Sequence, residues 1–170
     1  MATGGVELTT ETARPANDLM LRRVRAEQVV KSGANWFVWI AGLSVVNSIV
    51  GMSGGRLHFI VGLGITQVVD ALAHQAGSAG MFLDLIINGF VAGLFVFFWN
   101  FARKGQKWAF LVGMGIYALD GVLLLLFKDI LSVAFHAYAL YRIYIGMTVV
   151  PALQALEKAT IPAGAPIEPR

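Results

Sequence analysis

Residues 61–74 read VGLGITQVVDALAH. The run is apolar enough to enter a bilayer, yet it carries Gln67, Asp70 and His74. Whether it crosses decides the number of spans and the side on which everything after it lies. Its apolar residues Val61, Ile65, Val68, Val69 and Leu72 stand at i, i+4, i+7, i+8 and i+11, one face of a helix. Gln67, Asp70 and His74 stand at i, i+3 and i+7 on the opposite face. A spanning helix exposed to lipid is apolar all round. The amphipathic pattern therefore predicts a helix over 57–74 that lies on the bilayer or dips into it and returns.

The surrounding chain is that of an integral membrane protein. Of its 170 residues 57% are hydrophobic and only 14% charged, against about 25% charged in soluble domains. Residues 34–52, 81–101, 108–127 and 130–150 are apolar blocks, each about 30 Å long as a helix, one hydrocarbon thickness. The expected fold is an all-α membrane protein: a four-transmembrane-helix bundle, an extra amphipathic or re-entrant helix (57–74) on the outer side, and an N-terminal interfacial helix. The expected organisation is a flexible tail over 1–16, a basic cytoplasmic surface helix over 17–32, a transmembrane domain over 33–152 and a C-terminal tail over 153–170. Asn17 or Asp18 caps the surface helix, and Gly33 breaks it. A merely solvated basic helix fits 17–32 equally well. No apolar stretch precedes Ala34, so the first block reads as an uncleaved anchor.

Positive charges arbitrate the opening question. If 61–74 does not cross, Arg14, Arg22, Arg23, Arg25, Lys31, Arg103, Lys104, Lys107, Lys158 and Arg170 lie on one side. Only Arg56 and Lys128 lie on the other, and Arg142 is within a span. That is ten against two. If the segment crosses, the count is six against six. The positive-inside rule selects the first arrangement, with both termini cytoplasmic. Trp36, Trp39, Trp99 and Trp108 then fall at the cytoplasmic interface, as aromatic belts do. Arg22, Arg23, Arg25, Arg103, Lys104 and Lys107 join them as expected contacts with lipid head groups. The net charge of +3 needs no nucleic acid.

The stretches GANWFVWIAGLSVVNS, FIVGLGITQVVDALA and QKWAFLVGMGIYALDG with FHAYALY resemble a family of small, uncharacterised bacterial four-span membrane proteins. The resemblance covers about residues 32–147. It implies a bacterial source, hence the inner membrane, and no mechanism.

Ionisable groups inside a bilayer cost roughly 2.5–3.5 kcal/mol each at a helix centre and normally have partners. The third and fourth blocks form a hairpin turning near Lys128. Equal steps from that turn put Asp120 beside His136, roughly 12 Å from the outer end. Asn47, Ser48, Asp84 and Asn88 fall in the same half, and the amphipathic segment offers Asp70 and His74 to it. One reading is an outer polar pocket of Asp70, His74, Asp84, Asn88, Asp120 and His136 for a small ligand or protons. The other is a hydrogen-bond network that fixes helix register. Arg142 snorkels to the inner interface, pairs with a carboxylate such as Asp120, or serves a partner subunit.

Ser44 with Ser48, and Gly89 with Gly93, are small-xxx-small pairs suited to helix packing. No catalytic residue or metal site is expected. With no cysteine, thiolate chemistry is excluded. Haem b is disfavoured, because of His58, His74 and His136 only the last lies on a span. The expected function is a small non-catalytic accessory, assembly or scaffold subunit, contacting the lipid bilayer and other membrane subunits or itself. The alternative is a small transporter, channel or ligand-binding protein using the outer pocket.

Overall fold

The structure is a computed structural model that describes residues 5–52, 64–65 and 78–160, with side chains described over 17–50, 64–65 and 85–160. Among the described residues four long helices carry the fold: α1 (Gly5–Met52), α2 (Ser78–Ala102), α3 (Lys107–Leu126) and α4 (Ile130–Thr160). All four are long and apolar enough to cross a membrane, so the chain is a multi-pass helical membrane protein.

Steps of three and four between buried residues explain how the helices meet. On α3 the buried positions include Phe110, Gly113, Tyr117, Asp120 and Leu124. On α4 they include Ser132, His136, Ala139, Ile143, Gly146, Val150 and Leu153. Such a seam repeats every seven residues and suits helices packed lengthwise at a shallow angle. Opposite faces stay apolar but exposed, among them Leu119, Leu126, Ile86 and Phe90, as a lipid-facing surface requires.

Four-residue and three-residue turns join α2 to α3 and α3 to α4, so these neighbours are antiparallel. α1 packs on α2 and α4. Its side-chain contacts run from Arg23 with Thr160 to Trp36 with Tyr138, antiparallel to α4. The chain therefore leaves α1 and enters α2 at the same end of the bundle, where the α3–α4 turn also lies. We refer to this as the hairpin end. The opposite end holds the RKGQK turn and is called the basic end.

Midway, Phe37 of α1 sits among Phe95, Phe98 and Phe110 at centroid distances of 6.1–6.2 Å. A Cβ on Gly113 would stand 2.7 Å from the Phe37 ring. Glycine there is what lets the ring lie against α3. At the α1–α4 crossing, a Cβ on Gly33 would stand 2.6 Å from Gly146 Cα. The two backbones touch.

That crossing corrects the expected helix break. Residues 17–32 are not a separate interfacial helix, and 5–16 are not a separate element: α1 runs without interruption through Pro15 and Gly33. An interior glycine costs only about 1 kcal/mol of helix propensity, and the close contact it permits offsets that. The last helix likewise runs through a proline. α4 continues to Thr160, although Pro151 removes one backbone hydrogen bond. Beyond the proline, Leu153 is buried in one core with Ala26 and Val30 of α1, and Gln154 Nε2 donates to the Gly105 carbonyl (3.2 Å). Ala26 and Val30 of the basic segment thus share a core with Leu153 of the expected tail, while Leu21 and Val24 stay exposed. Residues 1–4 and 161–170, and the helix expected over 57–74 apart from Gly64 and Ile65, lie outside the described residues.

The packing pairs also separate. Ser44 and Ser48 are buried, their hydroxyls donating to the carbonyls of Ile40 (2.9 Å) and Ser44 (3.2 Å). Gly89 and Gly93 have no atom within 4 Å of a built Cβ, so they form no helix contact within the described chain. Gly33→Ala or Gly146→Ala should lower stability by about 1–3 kcal/mol through backbone overpacking. Gly89→Ala and Gly93→Ala should be neutral or gain up to about 1 kcal/mol of helix propensity. Thermal unfolding in detergent distinguishes them, and equal effects at all four positions would refute the assigned crossing.

Candidate functional site

The seven-residue seam that buries Tyr117 also buries Asp120, one turn further toward the hairpin end. Its side chain is 6% exposed and that of His136 is 2% exposed. His136 reaches this depth on the corresponding seam of α4, and its ring stacks on Tyr117 at 4.1 Å with a 15° interplanar angle.

The Asp120 carboxylate meets three donors or donor-acceptors. The Gly64 N–H donates to Oδ2 (2.8 Å) and the Ile65 N–H to Oδ1 (2.8 Å). His136 Nε2 lies 2.9 Å from Oδ2. His136 Nδ1 is 2.9 Å from the Ser132 carbonyl oxygen. A carbonyl only accepts, so Nδ1 carries a proton. The Nε2–Oδ2 contact then contains one further proton, held as imidazolium with carboxylate or as neutral imidazole with carboxylic acid. Either way the pair has no net charge, which a low-dielectric interior requires.

The network continues to the helix end. Asp129 caps α4: Oδ2 accepts the Ser132 hydroxyl (2.6 Å) and Oδ1 accepts the Ser132 N–H (3.1 Å). Lys128 takes the left-handed conformation (φ 60°) that reverses the chain before this cap. An unbroken series of hydrogen bonds thus joins the α3–α4 turn, through Ser132, His136 and Asp120, to the backbone of Gly64 and Ile65. Asp120 lies six residues inside the end of α3, about 9 Å along its axis. The backbone at 64–65, helical at both residues, is therefore seated within the bundle. A Cβ on Gly64 would stand 2.9 Å from Leu124 Cγ and 3.1 Å from the Asp120 carbonyl oxygen. No side chain fits there.

The sequence-derived residues distribute as follows. Asp120 and His136 are joined, and Asn88 is buried in the same half. Asp70 and His74 lie outside the described residues, as does the Asp84 side chain. Both ring nitrogens of His136 are engaged, which leaves neither open as a haem ligand. Arg142 makes no ion pair with Asp120 or any other described carboxylate. It lines one groove together with Trp36, Trp39, Gln28 and Lys31. At the basic end, Trp99 Nε1 donates to Asn35 Oδ1 (3.0 Å) beneath the Arg103 guanidinium, 4.6 Å from the ring centroid. Trp108 Nε1 donates to Gln106 Oε1 (2.7 Å), and Lys104 lies over Phe101. Arg22 pairs with Asp18 on the exposed surface (3.4 Å). Arg25 and Lys107 are exposed. Sequence reasoning missed the Gly64 and Ile65 amides, because backbone donors leave no residue-type signal. The seam spacing of α3 and α4 was the signal that would have aimed Asp120 and His136 inward.

No protein-family description, curated protein or solved structure matches the chain.

Asp120→Asn retains an acceptor for Ile65 but turns an NH2 group toward the Gly64 N–H. It should cost about 1–3 kcal/mol, the range for an unsatisfied buried donor. Gly64→Ala should cost a similar amount by displacing Leu124. Detergent melting curves test both, and a wild-type melting temperature for Asp120→Asn would contradict the bonding described.

Proposed function

We propose that this chain is a small non-catalytic membrane protein serving as an accessory or assembly subunit, in which Asp120 and His136 lock the α1–α2 connection into the bundle as a re-entrant segment. One observation carries the reading: the Asp120 carboxylate is engaged by the chain's own Gly64 and Ile65 amides and His136. A carboxylate used in this way organises structure instead of receiving a ligand. The surface of α2 supports the partner role. Gly89 and Gly93 are open, and Ile86 and Phe90 beside them are 67% and 72% exposed. Small residues flanked by large apolar ones are the material of helix–helix contacts in lipid.

The membrane is the bacterial inner membrane, with both termini cytoplasmic; the ten-to-two distribution of basic residues supports this orientation. Single cysteines at positions 78 and 105 test it with an impermeant thiol reagent applied outside. Position 78 should label and 105 should not; the reverse would overturn the orientation.

Native purification in mild detergent tests the function. Stoichiometric association with a larger membrane assembly, weakened by Gly89→Leu or Gly93→Leu, is expected. A homogeneous homo-oligomer with a proton or ligand response that vanishes in Asp120→Asn would contradict it and favour a small transporter or channel.

A further inference from the structure

The flank shared by α1 and α4 near the basic end holds a groove of about 420 Å³ whose walls include Gln28, Lys31, Asn35, Trp36, Trp39 and Arg142. Among the described residues no carboxylate lines it. Its polar groups present donors. Asn35 Oδ1 already accepts from Trp99, which leaves the amide nitrogen to donate. Lys31 meets Glu27 at 2.7 Å in an exposed i,i+4 pair, and its ammonium has three donors. Arg142 is half-buried on a membrane-spanning helix and has no ion-pair partner among the described residues.

Geometry explains how a mid-helix arginine joins this wall. The Gly33–Gly146 crossing fixes the register. Lys31 stands two residues before the crossing on α1. Arg142 stands four residues before it on α4, which runs the opposite way, about 6 Å deeper into the span than the crossing and about 9 Å deeper than Lys31. An arginine's long aliphatic stem is able to bring its guanidinium back toward the interface. Two cations then share one groove, Lys31 with its exposed Glu27 partner and Arg142 with no ion-pair partner among the described residues.

We propose that the groove binds the phosphate of an anionic glycerophospholipid, with Lys31 and Arg142 neutralising the head group. The surface beyond the groove selects a lipid over a free phosphate. Trp39 and Val46 on α1, and Tyr138 and Leu131 on α4, are each one seven-residue repeat apart and exposed. Gly42 between the α1 pair has nothing within 4 Å of a built Cβ. This forms an open apolar seam running from the groove along the span, where acyl chains lie. Trp36, held edge-on by Tyr138 at 5.3 Å, forms the wall between head group and chains.

The test uses the full chain in phosphatidylcholine nanodiscs carrying brominated phosphatidylglycerol or brominated phosphatidylcholine, with tryptophan quenching as readout. Each basic residue near anionic lipid contributes about fivefold in affinity, so the pair predicts a preference of roughly twenty-five-fold for phosphatidylglycerol. Arg142→Gln and Lys31→Gln should each reduce it to about fivefold. Arg142→Lys and Lys128→Gln should retain it, the second because Lys128 is exposed in the α3–α4 turn, at the opposite end of the bundle from the groove. Lys31→Gln alters an exposed position, so it keeps the test valid if Arg142→Gln fails to fold. Equal preference in wild type, Arg142→Gln and Lys31→Gln would overturn the proposal. So would displacement of the brominated lipid by inorganic phosphate in an Arg142-dependent manner, because that would make a free anion the ligand.

Discussion

A carboxylate about 9 Å inside the end of a membrane-spanning helix is the constraint on which this structure turns. Asp120 cannot face lipid, where a charged group costs roughly 2.5–3.5 kcal/mol even on the lenient insertion scales. It therefore faces the seam, and the seam must supply its partners. α4 supplies His136, held by the Ser132 carbonyl. The connection between α1 and α2 supplies two backbone amides. Those amides have the complementary problem, because an N–H in a dry interior needs an acceptor. Each side satisfies the other, and the bundle has to hold both in place.

The rest of the packing makes that possible. The aromatic layer around Phe37 fills the middle of the bundle, and the Gly33–Gly146 contact draws α1 and α4 together. Past this crossing, α1 and α4 continue as a pair toward the basic end, with Leu153, Ala26 and Val30 in the same core. The molecule thus has a polar, hydrogen-bonded half near the hairpin turn, an apolar waist, and a basic, tryptophan-rich end. The gradient matches a membrane protein whose buried polar groups organise its own backbone while its exposed cations meet charged surroundings.

Much of this is legible in the sequence. Block lengths give four spans, and equal stepping from Lys128 puts Asp120 level with His136. Other features resist reading for physical reasons. Gly33 and Pro151 look like helix breakers by propensity, but tertiary burial of Val30, Val150 and Leu153 outweighs a penalty of about 1–3 kcal/mol. Gly89 and Gly93 have the spacing of a packing motif, yet spacing does not say which side of α2 faces inward. Arg142 offers a choice of partners in sequence, and only the α1–α4 register brings it into one groove with Lys31. The residues 61–74 pose the sharpest case. Their amphipathic pattern speaks through side chains, whereas the contacts at Gly64 and Ile65 are made by the backbone.

The dependence of that backbone on Asp120 is directly measurable. Amide hydrogen exchange at Gly64 and Ile65, followed in nanodiscs by nuclear magnetic resonance, reads whether these two N–H groups are held. The account predicts strong protection in the wild type, comparable to the α3 amides, and its selective loss at both residues in Asp120→Ala. Free exchange at Gly64 and Ile65 in the wild type, or protection that survives removal of the carboxylate, would contradict it.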